Sequence, residues 1–372
     1  MKVLLVSTSS GSRGGGELAL LYLGRALRLR GNDVALWCST HARMDELASA
    51  FAEIGNVLRS KYVNTYDRRG RSLAGWLDGS TARRVAAEWQ VHRPDVIHLN
   101  KQNLEDGLDL VEAAALSALP GLCMIHVTQS ARYLRALFAG PRDWVARRVL
   151  RKFPGLLVTT PESRVRDLGE FLGDGSRVRM VPNGVPIPEA GGQRAEGDLL
   201  CVAVGRMVPQ KRPMLFLQLA ERIYRELPAA RFLWVGDGSL CGAWDEWVKQ
   251  RDLGKVITRL PWRKDVPALL STADVFLHVA AFEGLAFAIL EALAAGLPCA
   301  ITPNLLAEMP FLDGTNSIAI DEDGAWLQVL RDRERLRAIG LNARRLAEEK
   351  FSFDRMAAGY EALYREAMGL KS

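Results

Sequence analysis

Short apolar runs alternate with longer amphipathic stretches along most of the 372-residue chain, and this alternation constrains the fold more than any other feature. Strand and helix in alternation predict a parallel β-sheet that is covered by helices on both faces. Because the pattern occurs twice, we expect two doubly wound α/β domains. The strand candidates are KVLLVST, DVALWCS, DVIHLNK, LCMIHVT and LLVTT in the first half and LLCVAVG, RFLWVGD, VITRLPW, DVFLHVA and PCAITP in the second.

The boundary between the two domains is predicted near residue 185. The segment VPNGVPIPEAGGQRAEGD, residues 181–198, is rich in Pro and Gly, as linkers are. We therefore place a first domain at residues 1–185 and a second at residues 186–354, with a C-terminal amphipathic helix at about 355–372 that returns to the first. Ligands of such sheets bind beyond the carboxyl ends of the strands, so we expect the two domains to face each other across a cleft.

Composition argues against several other classes of protein. Hydrophobic residues make up 48% of the chain and charged residues 25%, which is ordinary for a globular protein. No apolar run approaches the roughly 18 residues of a membrane-spanning helix, and MKVLLVSTSSG is typical of a buried first strand rather than a signal peptide. The five cysteines are far apart and form no C-x-x-C pair, so we expect free thiols and a cytoplasmic protein: Cys38, Cys123, Cys201, Cys241 and Cys299.

Positive charge is concentrated in residues 1–185, which hold 26 Lys and Arg against 18 Asp and Glu, whereas the rest holds 23 against 25. Such an excess favours anionic partners, namely membrane lipid, nucleic acid or phosphorylated substrates. Residues 130–154 mix aromatic and apolar side chains with seven basic ones. Two interpretations stay open for this stretch: an amphipathic element on an anionic membrane, through Arg147, Arg148, Arg151 and Lys152, or a core-packed helix pair with a solvated basic face.

Two glutamates lie in the otherwise apolar run FEGLAFAILEALAAG, residues 282–296. A buried carboxylate is costly unless another group pairs with it. If Glu283 precedes a helix that begins near Leu285, it can fold over the N–H groups of that helix end, where Glu291 two turns deeper reaches a second part of the same ligand. The spacing alone leaves an alternative open, in which Glu283 caps the helix and Glu291 pairs with an arginine.

The E-x7-E spacing of this pair resembles the donor motif of retaining glycosyltransferases of the GT-B fold, especially family four. Other segments occur in the order of that family, and together they extend the resemblance from Lys2 to about Tyr364. These segments are GGGE at 14–17, IHVTQ around His126, VPNGV at 181–185, GRMVPQK at 205–211, VGDG at 235–238, ADVFL at 273–277 and EALAAGLPCA at 291–300.

The resemblance implies a nucleotide-sugar site in the second domain and an acceptor site in the first. Arg206 and Lys211, just past the strand LLCVAVG, would bind the diphosphate, to which Arg offers planar bidentate contacts and Lys a point charge. Glu291 would bind the ribose. The donor sugar would be held by Glu283 together with backbone N–H groups of Gly284, Leu285 and Phe287.

In the first domain, the resemblance implies that the loop of Gly14, Gly15 and Gly16 lets the backbone approach phosphate and sugar. His126 would contact the donor sugar near the reacting carbon, although the family often has His-Asp where this chain has His126-Val127. His98 and Asn100, at the end of DVIHLNK, line the acceptor side or have a structural role. Catalysis would thus depend on His126, Arg206, Lys211 and Glu283.

The expected activity is retaining transfer of a sugar from a nucleotide to a glycan, lipid-linked or small-molecule acceptor in cell-surface glycan synthesis, by front-face displacement. Nucleic acid is not an expected partner, and peripheral contact with the inner face of an anionic membrane is. No cofactor or metal is expected, because a surface turn explains Asp321-Glu322-Asp323. Two alternatives remain, a sugar-nucleotide epimerase on the same architecture and a non-catalytic nucleotide- or glycan-binding module.

Overall fold

The computed structural model describes residues 1–68, 72–77, 79–189 and 197–370 of the chain. The chain divides into two compact units, Met1–Gly184 with Phe353–Ser372, and Val185–Ser352. Residues 190–196 of the predicted linker lie outside the described residues.

The first unit contains a parallel sheet that, in the described residues, has seven strands in the order β3-β2-β1-β4-β5-β6-β7. Apolar residues fill β1 without a break because both faces of the sheet are covered. Val3 and Leu5 belong to the core on one face, and Leu4 and Val6 to the core on the other. The strands are β1 Lys2–Ser7, β2 Asp33–Ser39, β3 Asn56–Ser60, β4 Val96–Asn103, β5 Gly121–Val127, β6 Leu156–Thr159 and β7 Val178–Met180; the helices between them are α1 Gly15–Leu29, α2 Asp45–Ala52, α3 Ser72–Leu77, α4 Gly79–His92, α5 Leu108–Ser117, α6 Ala139–Lys152 and α7 Glu162–Leu172.

The second unit repeats the design with a six-stranded parallel sheet, counted over its described residues, in the order β10-β9-β8-β11-β12-β13. Its strands are β8 Leu200–Val204, β9 Arg231–Val235, β10 Ile257–Leu260, β11 Val275–His278, β12 Cys299–Ile301 and β13 Ser317–Ala319. Its helices are α8 Pro213–Glu226, α9 Cys241–Gln250, α10 Val266–Thr272, α11 Phe287–Ala294, α12 Pro303–Leu306, α13 Trp326–Arg331 and α14 Arg333–Lys350.

Both sheets reverse their strand order beside the first strand of the unit, between β1 and β4 and between β8 and β11. The carboxyl ends of strands at such a switch point are where doubly wound sheets bind ligands. The predicted fold class of two doubly wound, Rossmann-like parallel sheets is confirmed. The short strands β3, β7 and β13 were not predicted, because NVLRS, VRM and SIA each contain at most two adjacent apolar residues.

The last helix, α15 Phe353–Ala367, packs on the first unit rather than on the second. Its Tyr360 and Tyr364 join the core that contains Val3 and Leu5. Its Glu361 accepts hydrogen bonds from Arg30 at 2.9 Å and from Asn32 at 2.6 Å, both just past the end of α1.

Candidate active site

The loop after β8 carries the two predicted diphosphate ligands, Arg206 and Lys211. The N–H of Met207 donates to the carbonyl of Asp237 at 2.8 Å, which packs this loop against the one after β9. That approach needs glycine at two positions. A Cβ on Gly236, whose φ is +135°, would lie 2.3 Å from the carbonyl oxygen of Gly205, and a Cβ on Gly238 would lie 2.3 Å from that of Met207. The backbone of the VGDG segment therefore lies in close contact with the loop that carries Arg206 and Lys211.

Arg206 and Lys211 have different environments. The guanidinium of Arg206 is exposed and has no ion-pair partner among the residues that the structure describes. The side chain of Lys211 is only 17% exposed, and its ammonium donates to Oε1 of Glu283. One cation is thus open to an incoming anion, whereas the other is held in a fixed position by a carboxylate.

Glu283 lies in the loop between β11 and α11, and its side chain is 10% exposed. The helix begins at Phe287, two residues later than predicted, because Ala286 has an extended backbone and forms the N-cap. Nε2 of His278, the last residue of β11, lies 3.6 Å from Oε1 of Glu283. This buried carboxylate therefore meets Lys211 and His278, a pairing that the sequence analysis did not predict.

The charge state of this cluster follows from burial and pairing. Burial alone would raise the pKa of Glu283, but the Lys211 ammonium and the His278 ring outweigh it and lower that pKa to about 2. Burial lowers the pKa of His278 more than the nearby carboxylate raises it. At neutral pH the cluster thus contains an ionised Glu283 and an uncharged imidazole, with Lys211 as the cation beside them.

Two residues absent from the sequence predictions, Gln210 and Asn304, hold the backbone just before Glu283. The backbone carbonyl of Gln210 accepts the N–H of Ala281 at 2.8 Å, and its side-chain amide donates to the carbonyl of Phe282 at 3.1 Å, which ties the Lys211 turn to this loop. From the other side, Asn304 donates to the carbonyl of Ala281 at 2.9 Å. The only sequence signal for Gln210 is its place beside Lys211.

The remaining predicted donor ligands lie on and before α11. Leu285 and Phe287 are buried in the core, so they can meet a ligand only through the backbone. Glu291 lies one turn after Phe287 and is partly exposed. Arg206, Lys211, Glu283 and the start of α11 all follow β8 or β11, which are hydrogen-bonded neighbours in the sheet.

In the first unit, Asn100 of β4 links two other predicted residues. Its Nδ2 donates to the carbonyl of Gly16 at 3.0 Å, and its Oδ1 lies 2.8 Å from Nε2 of His126. Because Oδ1 accepts only, Nε2 of His126 carries the hydrogen and Nδ1 is left without one. Burial lowers the pKa of His126 to about 4 against the opposing effect of Asp106, so the ring is neutral at pH 7.

His98 does not line an acceptor surface, because its side chain is only 1% exposed. Its Nδ1 lies 2.8 Å from the hydroxyl of Tyr364, and its ring lies 4.8 Å from that of Tyr360. Of the two roles considered for His98, the structure supports the structural one, which is to join α15 to the sheet.

The structure places Gly15 and Gly16 of the predicted glycine loop at the start of α1, and Gly16 lies against the side-chain amide of Gln102. A Cβ at this position would lie 2.0 Å from Nε2 of Gln102, which donates to Ser9 Oγ at 2.8 Å and to Glu17 Oε1 at 3.1 Å. Alanine would therefore require the flexible end of the Gln102 side chain to shift. A Cβ on Gly11, a few residues earlier, would meet nothing within 4 Å.

We expect Gly236→Ala to lower the melting temperature by several degrees, because a Cβ at this φ of +135° would overlap the backbone carbonyl of Gly205. Backbone strain of this kind costs about 1–3 kcal/mol, and each kcal/mol shifts Tm by about 2–4 °C in a unit of this size. Gly314→Ala is the matched control, because a Cβ there meets nothing within 4 Å, and it is expected to melt like the wild type. Differential scanning calorimetry of the two variants is the measurement, and equal melting temperatures would show that the VGDG segment tolerates a side chain at Gly236.

Asp321 belongs to a turn before α13, as predicted. Its carboxylate accepts the N–H of Gly324 at 3.0 Å, and its carbonyl accepts Nε1 of Trp326 at 3.2 Å. Across the described parts of the chain, no three His, Cys, Asp or Glu side chains are grouped so that they could hold a metal ion.

Two family models match consecutive parts of the chain. The model described as Glycosyltransferase Family 4 matches residues 13–188, and the one described as Glycosyl transferases group 1 matches residues 198–331. Similar curated proteins include the UDP-Gal:alpha-D-GlcNAc-diphosphoundecaprenol alpha-1,3-galactosyltransferase of Escherichia coli, 30% identical over 178 residues, 44% of each chain. The N-acetyl-alpha-D-glucosaminyl L-malate synthase of Bacillus anthracis is 25% identical over 181 residues, 47% of each chain. The chain thus matches less than half the length of these relatives.

Solved structures resemble the chain over nearly its whole length. Anabaena HepE in complex with UDP has a TM-score of 0.75 at 19% identity and covers 98% of this chain and 100% of its own. A glycosyltransferase from Rickettsia africae has a TM-score of 0.76 at 13% identity and covers 99% and 98%. At these identities the likeness establishes the shared fold.

Proposed function

Because the chain belongs to the family-four glycosyltransferases of the GT-B fold, we propose that it is a retaining enzyme that transfers a sugar from a nucleotide-sugar donor to a hydroxyl acceptor. The observation that carries the proposal is the pairing of Lys211 with buried Glu283 beside exposed Arg206, at the switch point of the second sheet. A fixed ammonium, an open guanidinium and an ionised carboxylate match a ligand that carries both a diphosphate and hydroxyl groups.

The donor groups divide between these residues. Arg206 and Lys211 bind the diphosphate, Glu291 binds the ribose, and Glu283 with the backbone at Gly284, Leu285 and Phe287 holds the sugar. UDP is the first nucleotide to consider, since the solved HepE structure contains UDP and the name of the Escherichia coli relative specifies UDP-Gal. In the first unit, Gly15 and Gly16 serve donor binding, His126 contacts the donor sugar, and Asn100, which is hydrogen-bonded to both Gly16 and His126, serves the acceptor.

The reaction breaks the bond between the anomeric carbon and the diphosphate oxygen and forms a bond from that carbon to the acceptor oxygen on the same face. Negative charge grows on the leaving diphosphate, and Arg206 and Lys211 stabilise it where it develops. The acceptor oxygen itself attacks the anomeric carbon, so no side chain acts as nucleophile, and the acceptor proton passes to the leaving phosphate. The acceptor is a glycan, a lipid-linked sugar or a small molecule.

Thermal denaturation against a panel of sugar nucleotides tests donor binding. A ligand present at 100 times its Kd stabilises the protein that binds it by about 2.7 kcal/mol. We expect UDP or a UDP-sugar to raise Tm in the wild type and not in Arg206→Ala, and NAD to leave Tm unchanged. A panel in which no sugar nucleotide raises Tm would refute the proposed function.

Activity is expected to persist in EDTA, because two protein cations, Arg206 and Lys211, neutralise the diphosphate. The measurement is release of nucleoside diphosphate with and without chelator. Complete loss of activity in EDTA that Mg²⁺ or Mn²⁺ restores would contradict this expectation and make Asp321 and Asp323 candidates for a metal site.

A further inference from the structure

A short segment of the first unit exposes an unusual number of large apolar side chains. Residues 133–144, called here the apolar segment, contain Tyr133, Leu134, Leu137, Phe138 and Trp144, all exposed. Leu137 and Phe138 are exposed to 82% and 81%. Exposed apolar residues scattered singly are normal, but a contiguous group marks an interaction surface.

Hydrogen bonds fix the backbone of the apolar segment at both ends. The carboxylate of Asp143 accepts the N–H groups of Ala131 and Arg132 at 2.7 and 3.1 Å. Arg142 makes two hydrogen bonds of 2.7 Å to Glu105 and donates to the carbonyl of Leu137 at 3.1 Å. The segment is therefore tied to the folded unit while Leu137 and Phe138 stay exposed to solvent; Trp144 is half-exposed, and its ring packs edge-on against that of Trp76 at 5.6 Å.

Two bulky residues of the segment have left-handed backbones, Arg135 with a φ of 52° and Phe138 with a φ of 55°. This conformation costs roughly 1–2 kcal/mol for an L-residue other than Gly. Burial of the Phe138 ring in the fold does not offset that cost, because the ring is exposed. Such a phenylalanine is suited to a docking surface, because removal of its apolar ring from water by a partner would offset the backbone strain.

The surroundings of the segment are basic. Arg132 and Arg135 lie within or beside it, and the exposed face of α6 adds Arg147, Arg148, Arg151 and Lys152. Arg148 lies over the ring of Trp144 at 5.6 Å. The one acid of residues 130–154, Asp143, has its carboxylate directed at backbone N–H groups. Aromatic and apolar tips among cations match the interface of an anionic bilayer.

The helix α6 does not present an apolar face to solvent. The core that contains Leu4 and Val6 also contains four residues of α6, as the core-packed interpretation of residues 130–154 requires: Val145, Ala146, Val149 and Leu150. The apolar surface comes instead from the turns before α6 and from Trp144. None of the described helices is both long enough and apolar enough to cross a bilayer.

We propose that the apolar segment docks the first unit on the surface of an anionic lipid bilayer. Leu137, Phe138 and Tyr133 enter the interface, and the flanking arginines contact lipid phosphates. This inference goes beyond the proposed transferase activity and uses only residues of the first unit.

Flotation with vesicles tests it, using phosphatidylcholine alone or mixed with phosphatidylglycerol, and without donor or acceptor. We expect the wild type to float with the mixed vesicles only. The double variant Leu137→Ser/Phe138→Ser should bind them at least roughly tenfold more weakly, since two large side chains no longer leave water. The matched control Leu29→Ser/Leu341→Ser alters leucines that are exposed to 75% and 67% elsewhere, and it should bind like the wild type.

Equal melting temperatures of the two double variants will show that the fold is intact. A charge variant, Arg132→Gln/Arg135→Gln/Arg147→Gln/Arg148→Gln, is expected to release the protein from the mixed vesicles, because each basic residue near such a surface contributes to binding. Arg151 is left unchanged because it donates to the carbonyl of Leu172. Three results would overturn the proposal: no binding by the wild type, equal binding to neutral vesicles, or a dimer in solution that Leu137→Ser/Phe138→Ser abolishes while lipid binding is absent.

Discussion

Lys211→Ala is expected to lower kcat/KM by roughly 10²–10³-fold, the loss typical when one electrostatic stabiliser of a transition state is removed. In the proposed reaction Lys211 meets the leaving diphosphate, and its ammonium is already held by Glu283, while Gln210 beside it donates to the carbonyl of Phe282. A pre-positioned charge needs no reorganisation during the reaction, so its loss is felt mainly in the transition state. Steady-state release of nucleoside diphosphate from a UDP-sugar is the measurement.

The same variant should be less stable, whereas Arg206→Ala should not be. Removal of Lys211 leaves Glu283 as a buried carboxylate without its main cation, and breaking a buried pair costs about 3–5 kcal/mol. Arg206 is exposed, so its replacement should reduce kcat/KM by roughly 10²-fold and leave Tm unchanged.

Lys255→Ala provides the control for a lost surface cation. Lys255 is exposed in the same unit, but it precedes β10 and so lies at the amino ends of the strands, whereas the candidate site lies at their carboxyl ends. Near-normal turnover in purified Lys211→Ala or Arg206→Ala would rule out the diphosphate role. A loss of the same size in Lys255→Ala would mean that the effect comes from the net charge of the unit.

Glu283→Gln is expected to lower kcat by roughly 10²-fold while the Kd for UDP stays almost unchanged. UDP has no sugar for Glu283 to hold, and glutamine keeps an oxygen that accepts a hydrogen bond from Lys211. Glu291→Gln should act differently, because ribose does not react. Its KM for the donor and its Kd for UDP should rise together by roughly tenfold, as for a lost hydrogen bond to a charged group.

Calorimetry with UDP and steady-state kinetics on both glutamine variants separate the two roles. The separate roles assigned to Glu283 and Glu291 are wrong if both variants lose UDP affinity equally, or if neither variant changes the kinetics. In the second case the Lys211–Glu283 pair would be a structural ion pair that supports the loop after β11.

The ion pair between Lys211 and Glu283 could not be predicted from the sequence, although each residue was predicted to bind the donor. The two residues are far apart in sequence, and they meet only because β8 and β11 are neighbours at the switch point of the sheet. The apolar runs predicted the central strands and thus the fold class, but they did not predict the strand order that brings the two loops together. His278 was not predicted to contact Glu283, because a single histidine at the end of an apolar strand forms no recognisable motif.

The start of α11 shows a second limit of sequence patterns. Leu285 continues the apolar periodicity of the helix and is buried, yet Ala286 has an extended backbone, so the helix begins only at Phe287. Hydrophobic periodicity indicates which side chains are buried. A buried residue just before a helix therefore fits the same periodic pattern as a buried residue within the helix. His98 was ambiguous for a similar reason, because its partner Tyr364 belongs to a helix at the other end of the chain.

Proton NMR of the reaction tests retaining transfer from a nucleotide sugar bound at Arg206, Lys211 and Glu283. The purified chain is incubated with the α-linked UDP-sugar that gives the largest thermal shift, with water as the acceptor. We expect UDP and the α-anomer of the free sugar to appear together in the first minutes, before mutarotation, and Arg206→Ala to form both roughly 10²-fold more slowly. Release of the β-anomer first, conversion of the donor to an epimer, or an intact donor despite tight binding would contradict retaining transfer.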